Sequence, residues 1–106
     1  MAVDLTVLGQ TSNITLSATG NNVTEVDLPE FANKIVVQFI GADGKMADTG
    51  VDGQPIGGTY LTIQQDTLVE IEIYDRPGNT NRQTKYFASA TSSTVMQILP
   101  LRSSLR

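Results

Sequence analysis

Carboxylates are the residues with the most chemistry on offer. Asp43, Asp48 and Asp52 fall inside a glycine-rich stretch, Gly41 to Gly58, and clustered carboxylate oxygens are what a hard cation such as Ca²⁺ binds. The run Asp48-Thr49-Gly50-Val51-Asp52-Gly53 does not put acids at the first, third and fifth positions of an EF-hand loop, and its twelfth position is Thr59 rather than Glu. Asp beside Gly is what tight turns favour, which accounts for all three acids without a metal. Glu70 and Glu72 lie two apart and so share one face of a strand. A glycosidase needs its two carboxyls about 5–9 Å apart across a cleft, whereas adjacent glutamates on a strand read as a solvated face. Gly50 to Gly58 is not a phosphate loop either, because no Gly-Lys-Ser/Thr and no helical pattern follow it. The chain has no His and no Cys. That removes the Ser-His-Asp and Cys-His constellations, the commonest metal ligand, and any disulfide framework. No catalytic, metal or cofactor residue is therefore expected. Six aromatics, Phe31, Phe39, Tyr60, Tyr74, Tyr86 and Phe87, could serve as stacking platforms for sugars. Most of them fall on strand patterns, which favours packing.

The elements that must position these residues are strands. Period-2 alternation runs through Val3–Val7, Ile14–Ala18 and Val23–Leu28, as in half-buried strands. Pro29–Asn33 reads as one short helical turn, Pro being tolerated at the first helical position. Lys34–Ile40 is the most hydrophobic run, and its β-branched density predicts a strand covered on both faces. The stretch Gly41–Gly58 is longer than most loops, so it either hides a short strand near Lys45–Ala47 or has a job. Thr59–Ile63 and Leu68–Tyr74, four residues apart, read as a hairpin with Leu61 and Ile63 facing Val69, Ile71 and Ile73. After a polar loop around Pro77-Gly78, strands resume at Thr84–Ala90 and Thr94–Leu99, and Pro100 is expected to end the last one. The pattern predicts an all-β fold: one antiparallel β-sandwich or small barrel of seven to eight short strands over residues 1–100, with little or no helix. Residues 101–106 form a short basic tail.

Composition and charge narrow the role. At 106 residues the chain suits one domain. Charged residues are 17%, below the usual ~25%, while Ser, Thr, Asn and Gln number 33. The N-terminal residues lack the basic and apolar regions of a secretory signal, and no apolar run approaches the ~18 residues of a membrane span. A cytoplasmically made protein without membrane contact is expected. The net charge of −4 is a remainder. Residues 1–75 hold all eleven acids against Lys34 and Lys45, and residues 76–106 hold Arg76, Arg82, Lys85, Arg102 and Arg106 with no acid. An acidic chain argues against general nucleic-acid binding. The imbalance either closes within the fold or marks a contact between subunits. On the second reading the interface candidates are Asp43, Lys45, Asp48, Asp52, Arg76, Arg82, Lys85, Arg102 and Arg106.

The segments Lys34-Ile35-Val36-Val37-Gln38-Phe39-Ile40-Gly41-Ala42-Asp43-Gly44-Lys45, Gly57-Gly58-Thr59-Tyr60 and Ala88-Ser89-Ala90-Thr91-Ser92-Ser93-Thr94-Val95 resemble small β-rich virion proteins of tailed bacteriophages. With its length, polar-uncharged richness and lack of Cys, the chain is similar to capsid decoration (cement) proteins. That resemblance spans about residues 23–99 and carries no diagnostic motif, so no functional residue transfers by it. It implies a non-enzymatic structural protein on the capsid surface of a virion, a homo-oligomer with a trimer favoured. Its partners would be the major capsid protein or other virion proteins. The alternatives are a head–tail junction or tail component, and a carbohydrate- or receptor-binding module.

Overall fold

The computed structural model describes residues 2–73 and 83–102. Nine strands follow one another along the chain: β1 (Val3–Asp4), β2 (Ser12–Thr15), β3 (Thr24–Asp27), β4 (Lys34–Ile40), β5 (Gly44–Ala47), β6 (Leu61–Ile63), β7 (Val69–Glu72), β8 (Thr84–Ala88) and β9 (Val95–Leu101). They form two sheets, one in the order β1-β3-β8-β5-β6 and one in the order β2-β9-β4-β7. The all-β sandwich read from the alternation is the fold, and among the described residues there is no helix. Every pairing is antiparallel except β1 with β3, which is parallel.

Alternation explains the core directly. In β4, Ile35, Val37 and Phe39 are fully buried, while Val36 and Gln38 are only half-buried. The expectation that β4 is covered on both faces is thus corrected to one face. Its inward residues meet Val26, Met46 and Phe87 of the opposite sheet and Met96 and Ile98 of β9 in a single apolar cluster. Phe39 and Phe87 lie at a ring-centroid distance of 6.2 Å with planes tilted by 50°, a geometry that aromatic quadrupoles favour. Burying each ring contributes about 1.5–3 kcal/mol. Gly44, the first residue of β5, makes room: a Cβ there would fall on the Phe39 ring.

Three local expectations change. Residues 59–63 and 68–73 do not form a hairpin, Tyr74 lying outside the described residues. β6 pairs with β5 and β7 pairs with β4, so the connection between them crosses from one sheet to the other. A four-residue polar turn serves either purpose. Here Asp66 donates its N–H to the Phe39 carbonyl (2.7 Å) and accepts from the Gly41 N–H (3.2 Å), which fastens the turn to the end of β4. Glu70 and Glu72 are exposed as expected, but Leu61 is 60% exposed instead of facing β7. Pro100 does not end β9, which continues to Leu101 opposite Lys34. Its carbonyl accepts from Gly9 N–H (2.8 Å), so its missing donor points to the β2 side, where the ladder has already stopped at Ser12. Pro29–Asn33 is a tight turn rather than a helical one: Ala32 N–H meets the Pro29 carbonyl at 3.2 Å and Phe31 has φ +69°.

Gly44→Ala is expected to lower stability by about 1–3 kcal/mol, the range for overpacking a close-packed core. Gly57→Ala, where a Cβ meets nothing within 4 Å, should stay within about 0.5 kcal/mol of the parent. Urea unfolding of the two variants checks the contrast.

Candidate functional site

The glycine-rich stretch turns out both to hide a strand and to have a job. It supplies β5, then leaves the sheet and crosses its outer face. Gly50 passes over Tyr86, whose ring carbons would lie 3.3 Å from a Cβ at that position. The stretch then pairs with the lead-in to β3. Val23 N–H donates to the Gln54 carbonyl, Gly53 N–H to the Val23 carbonyl and Ile56 N–H to the Asn21 carbonyl, each at 2.8 Å. Asp52 Oδ1 accepts from the Glu25 N–H at 2.8 Å. The loop is a strap whose carboxylate and carbonyls complete an otherwise open strand.

The candidate interface residues take separate posts. Asp43 Oδ1 accepts from the Gln65 N–H (2.8 Å). Lys45 Nζ donates to Asn21 Oδ1 (2.8 Å) and stands 4.8 Å from the centre of the Tyr60 ring. Lys85 Nζ meets Asp48 Oδ1 at 2.6 Å, the one pair of candidates that these contacts bring together. Lys34 pairs with Glu70 at 3.1 Å. The Lys85–Asp48 pair thus closes part of the charge imbalance inside the fold, while Lys34–Glu70 lies within the acidic part; both pairs are partly exposed and individually weak. Arg76, Arg82 and Arg106 lie outside the described residues. Among the described residues no three acids gather as a cation site would require, and no helix is long and apolar enough to cross a membrane.

The Ser/Thr-rich segment after β8 has a structural use that its composition did not reveal. Ser89 Oγ donates to the Asp43 carbonyl (2.8 Å). Buried Thr94 donates to Ser89 Oγ (3.1 Å) or to the Thr91 carbonyl (3.0 Å), and Ser92 Oγ donates to the Ala18 carbonyl (2.6 Å). These hydroxyls tie three crossing connections together at one end of the sandwich.

The opposite end carries the surface that sequence reasoning missed. Thr6, Val7 and Leu8 on one side, with Pro29, Glu30 and Phe31 on the other, line an open cup of about 540 Å³. Val7 is 53% and Phe31 50% exposed. Alternation had assigned Val7 to a strand face, but β1 stops at Asp4 and the chain crosses to the other sheet. Phe31 occupies the third position of its turn with φ +69°, a conformation suited to Gly and strained for an aromatic residue. Arg102 holds it there, donating to the Phe31 carbonyl (2.9 Å) with its guanidinium carbon 5.9 Å from the ring centre. An exposed aromatic with no β-strand alternation, directly after Pro-Glu, is the only signal that could have pointed to it. Compared with protein-family models, with curated proteins and with solved structures, the chain matches none.

Two outcomes follow from the strap. Asp52→Ala is expected to cost about 1–3 kcal/mol by removing an acceptor from a strand N–H, and to cost more than Asp52→Asn, which keeps an acceptor oxygen. Urea unfolding, with proteolysis of the 48–60 segment, reads both. Burial, followed by the negative charges of Glu25 and Asp27, pushes the Tyr86 hydroxyl above its ordinary value near 10. The folded state therefore favours the neutral phenol. Its contribution is complete below pH 10 and is lost as pH rises through the folded value. The stability gap between the parent and Tyr86→Phe should stay constant to about pH 10 and shift against the parent above it, as followed by thermal melts across that range.

Proposed function

We propose that this chain is a non-enzymatic structural protein of a phage virion, most specifically a capsid decoration protein that binds the outer shell as a homo-oligomer and stabilises it. The observation that carries the reading is how the side chains are deployed. The loop carboxylates and hydroxyls serve backbone N–H groups, lysines and neighbouring turns, while a group of exposed apolar side chains collects at one end of a small sandwich. That is the layout of a protein that works by contact. A 106-residue β domain buries a modest core, and docking on a shell would add buried area and cover exposed apolar surface. The resemblance to small virion proteins supports a role in the virion, and small neck and tail proteins share that resemblance. Phe31 is the most exposed of the described aromatics, yet the Arg102 guanidinium beside its ring leaves it poorly suited as an open sugar platform, so a carbohydrate-binding role is not preferred.

Copy number tests the reading. Quantitative mass spectrometry of purified particles is expected to find the protein in multiples that match the capsid lattice. Shells stripped of it should lose resistance to heat and regain it on re-addition. A dozen or fewer copies per particle would instead favour the head–tail junction.

A further inference from the structure

The end of β9 and the apolar cup share one location. Gly9 N–H donates to the Pro100 carbonyl (2.8 Å), and Asn33 N–H donates to the Leu101 carbonyl (3.0 Å). The strand's last residues are therefore bracketed by residues 9 and 33. The two walls of the cup, 6–8 and 29–31, are the stretches that lead into those brackets. Arg102, the last described residue, lies against Phe31 on the rim of the cup. Residues 103–106 read Ser-Ser-Leu-Arg: one branched apolar side chain followed by one cation. The cup offers the complement, with Val7, Leu8 and Phe31 for an apolar group and Glu30 for a cation. In all, the described residues hold ten acids, Glu30 included, against Lys34, Lys45, Lys85 and Arg102, a field that steers a cationic segment toward the body of another molecule.

We propose that the cup receives residues 103–106 of a neighbouring copy, with Leu105 between Val7 and Phe31 and Arg106 at Glu30. This rests on reading the chain as an assembly protein and names the contact by which copies join. The described residues leave Val7 and Phe31 half exposed, so the cup has apolar area to give to a neighbour. Three extended residues, 103–105, reach about 10 Å, enough to pass from the mouth of one cup into one that faces it. Giving and receiving at the same end lets the exchange close into a symmetric oligomer with every cup filled. The strained φ of Phe31 fits this use: it spends backbone energy to keep an aromatic ring at a surface where a partner needs it.

The test uses the purified full chain, with the parent's lack of cysteine as an advantage. Sedimentation should show an oligomer for the parent, and for a chain ending at Arg102 or carrying Phe31→Gly a self-association at least tenfold weaker. Glycine suits φ +69°, so Phe31→Gly should melt no lower than the parent, separating loss of contact from loss of fold. Val7→Cys and Leu105→Cys chains, produced separately and mixed under oxidising conditions, should form a disulfide between molecules. A monomeric parent, an oligomer indifferent to both changes, or a disulfide that forms only within a double-cysteine chain would overturn the proposal. All of these are read without shells. A failure here leaves the copy number on particles untouched, and a junction-like copy number leaves the tail contact standing.

Discussion

The burial of Phe39 against Phe87 is the constraint on which the rest of the structure depends. One ring comes from the second strand-pair layer and the other from the first, so neither is buried until both sheets exist and face one another. Successive strands mostly alternate between sheets, and β5 with β6 is the one consecutive pair that hydrogen-bonds among the described residues. Hairpins, which would let each sheet form locally, are almost absent. Stability is therefore held in contacts distant in sequence, whose loop-closure entropy must be offset before burial rewards them. Gly44 shows how tightly this is tuned, since the core has no space for one methyl group beside Phe39.

A sandwich whose chain keeps changing sheets needs many crossings, and crossings leave backbone groups without a ladder. The polar composition answers that need. At one end Ser89, Thr94 and Ser92 bind carbonyls and one another, and Asp43 and Asp66 accept from backbone N–H groups of the neighbouring turns. Across the outer face, the 48–60 strap supplies partners to the lead-in of β3. Among the described residues every buried side-chain polar atom has a partner. The abundance of Thr, Ser, Asn and Asp is thus explained by connection chemistry, and no catalytic role is required to account for it.

This also shows why some of the structure was legible in the sequence and some was not. Alternation reports which way a side chain faces, and the assignment of Glu70 and Glu72 to the solvent side holds, whereas the β-branched density of Lys34–Ile40 marks a strand without saying that only Ile35, Val37 and Phe39 turn inward. Alternation carries nothing about which strand lies alongside, so Thr59–Ile63 and Leu68–Tyr74 looked like a hairpin although they belong to different sheets. The four polar residues between them suit a tight turn and an anchored crossing equally well. Pro100 was misread because its cost depends on which side of the strand its missing donor faces. The cup was hidden for a related reason. Val7 continues an apolar alternation, and only the crossing after Asp4 makes it a surface residue. Phe31 lies in a turn, where no period applies.

The edges decide where contacts between molecules can form. β1 has two residues, β6 three, and β2 and β7 four each, and β7 presents Glu70 and Glu72 to solvent. Short and charged edges are how β proteins avoid edge-to-edge pairing. Assembly by extending either sheet would gain only a few ladder hydrogen bonds, and at β7 it would also set like charges side by side. Exposed apolar groups at the end near residues 7 and 31 offer side chains rather than a strand edge, and the Phe31 carbonyl there is already taken by Arg102. The same crossings that make the fold non-local therefore leave an end of the sandwich as the place where apolar surface can be offered to a partner without inviting a continuous sheet.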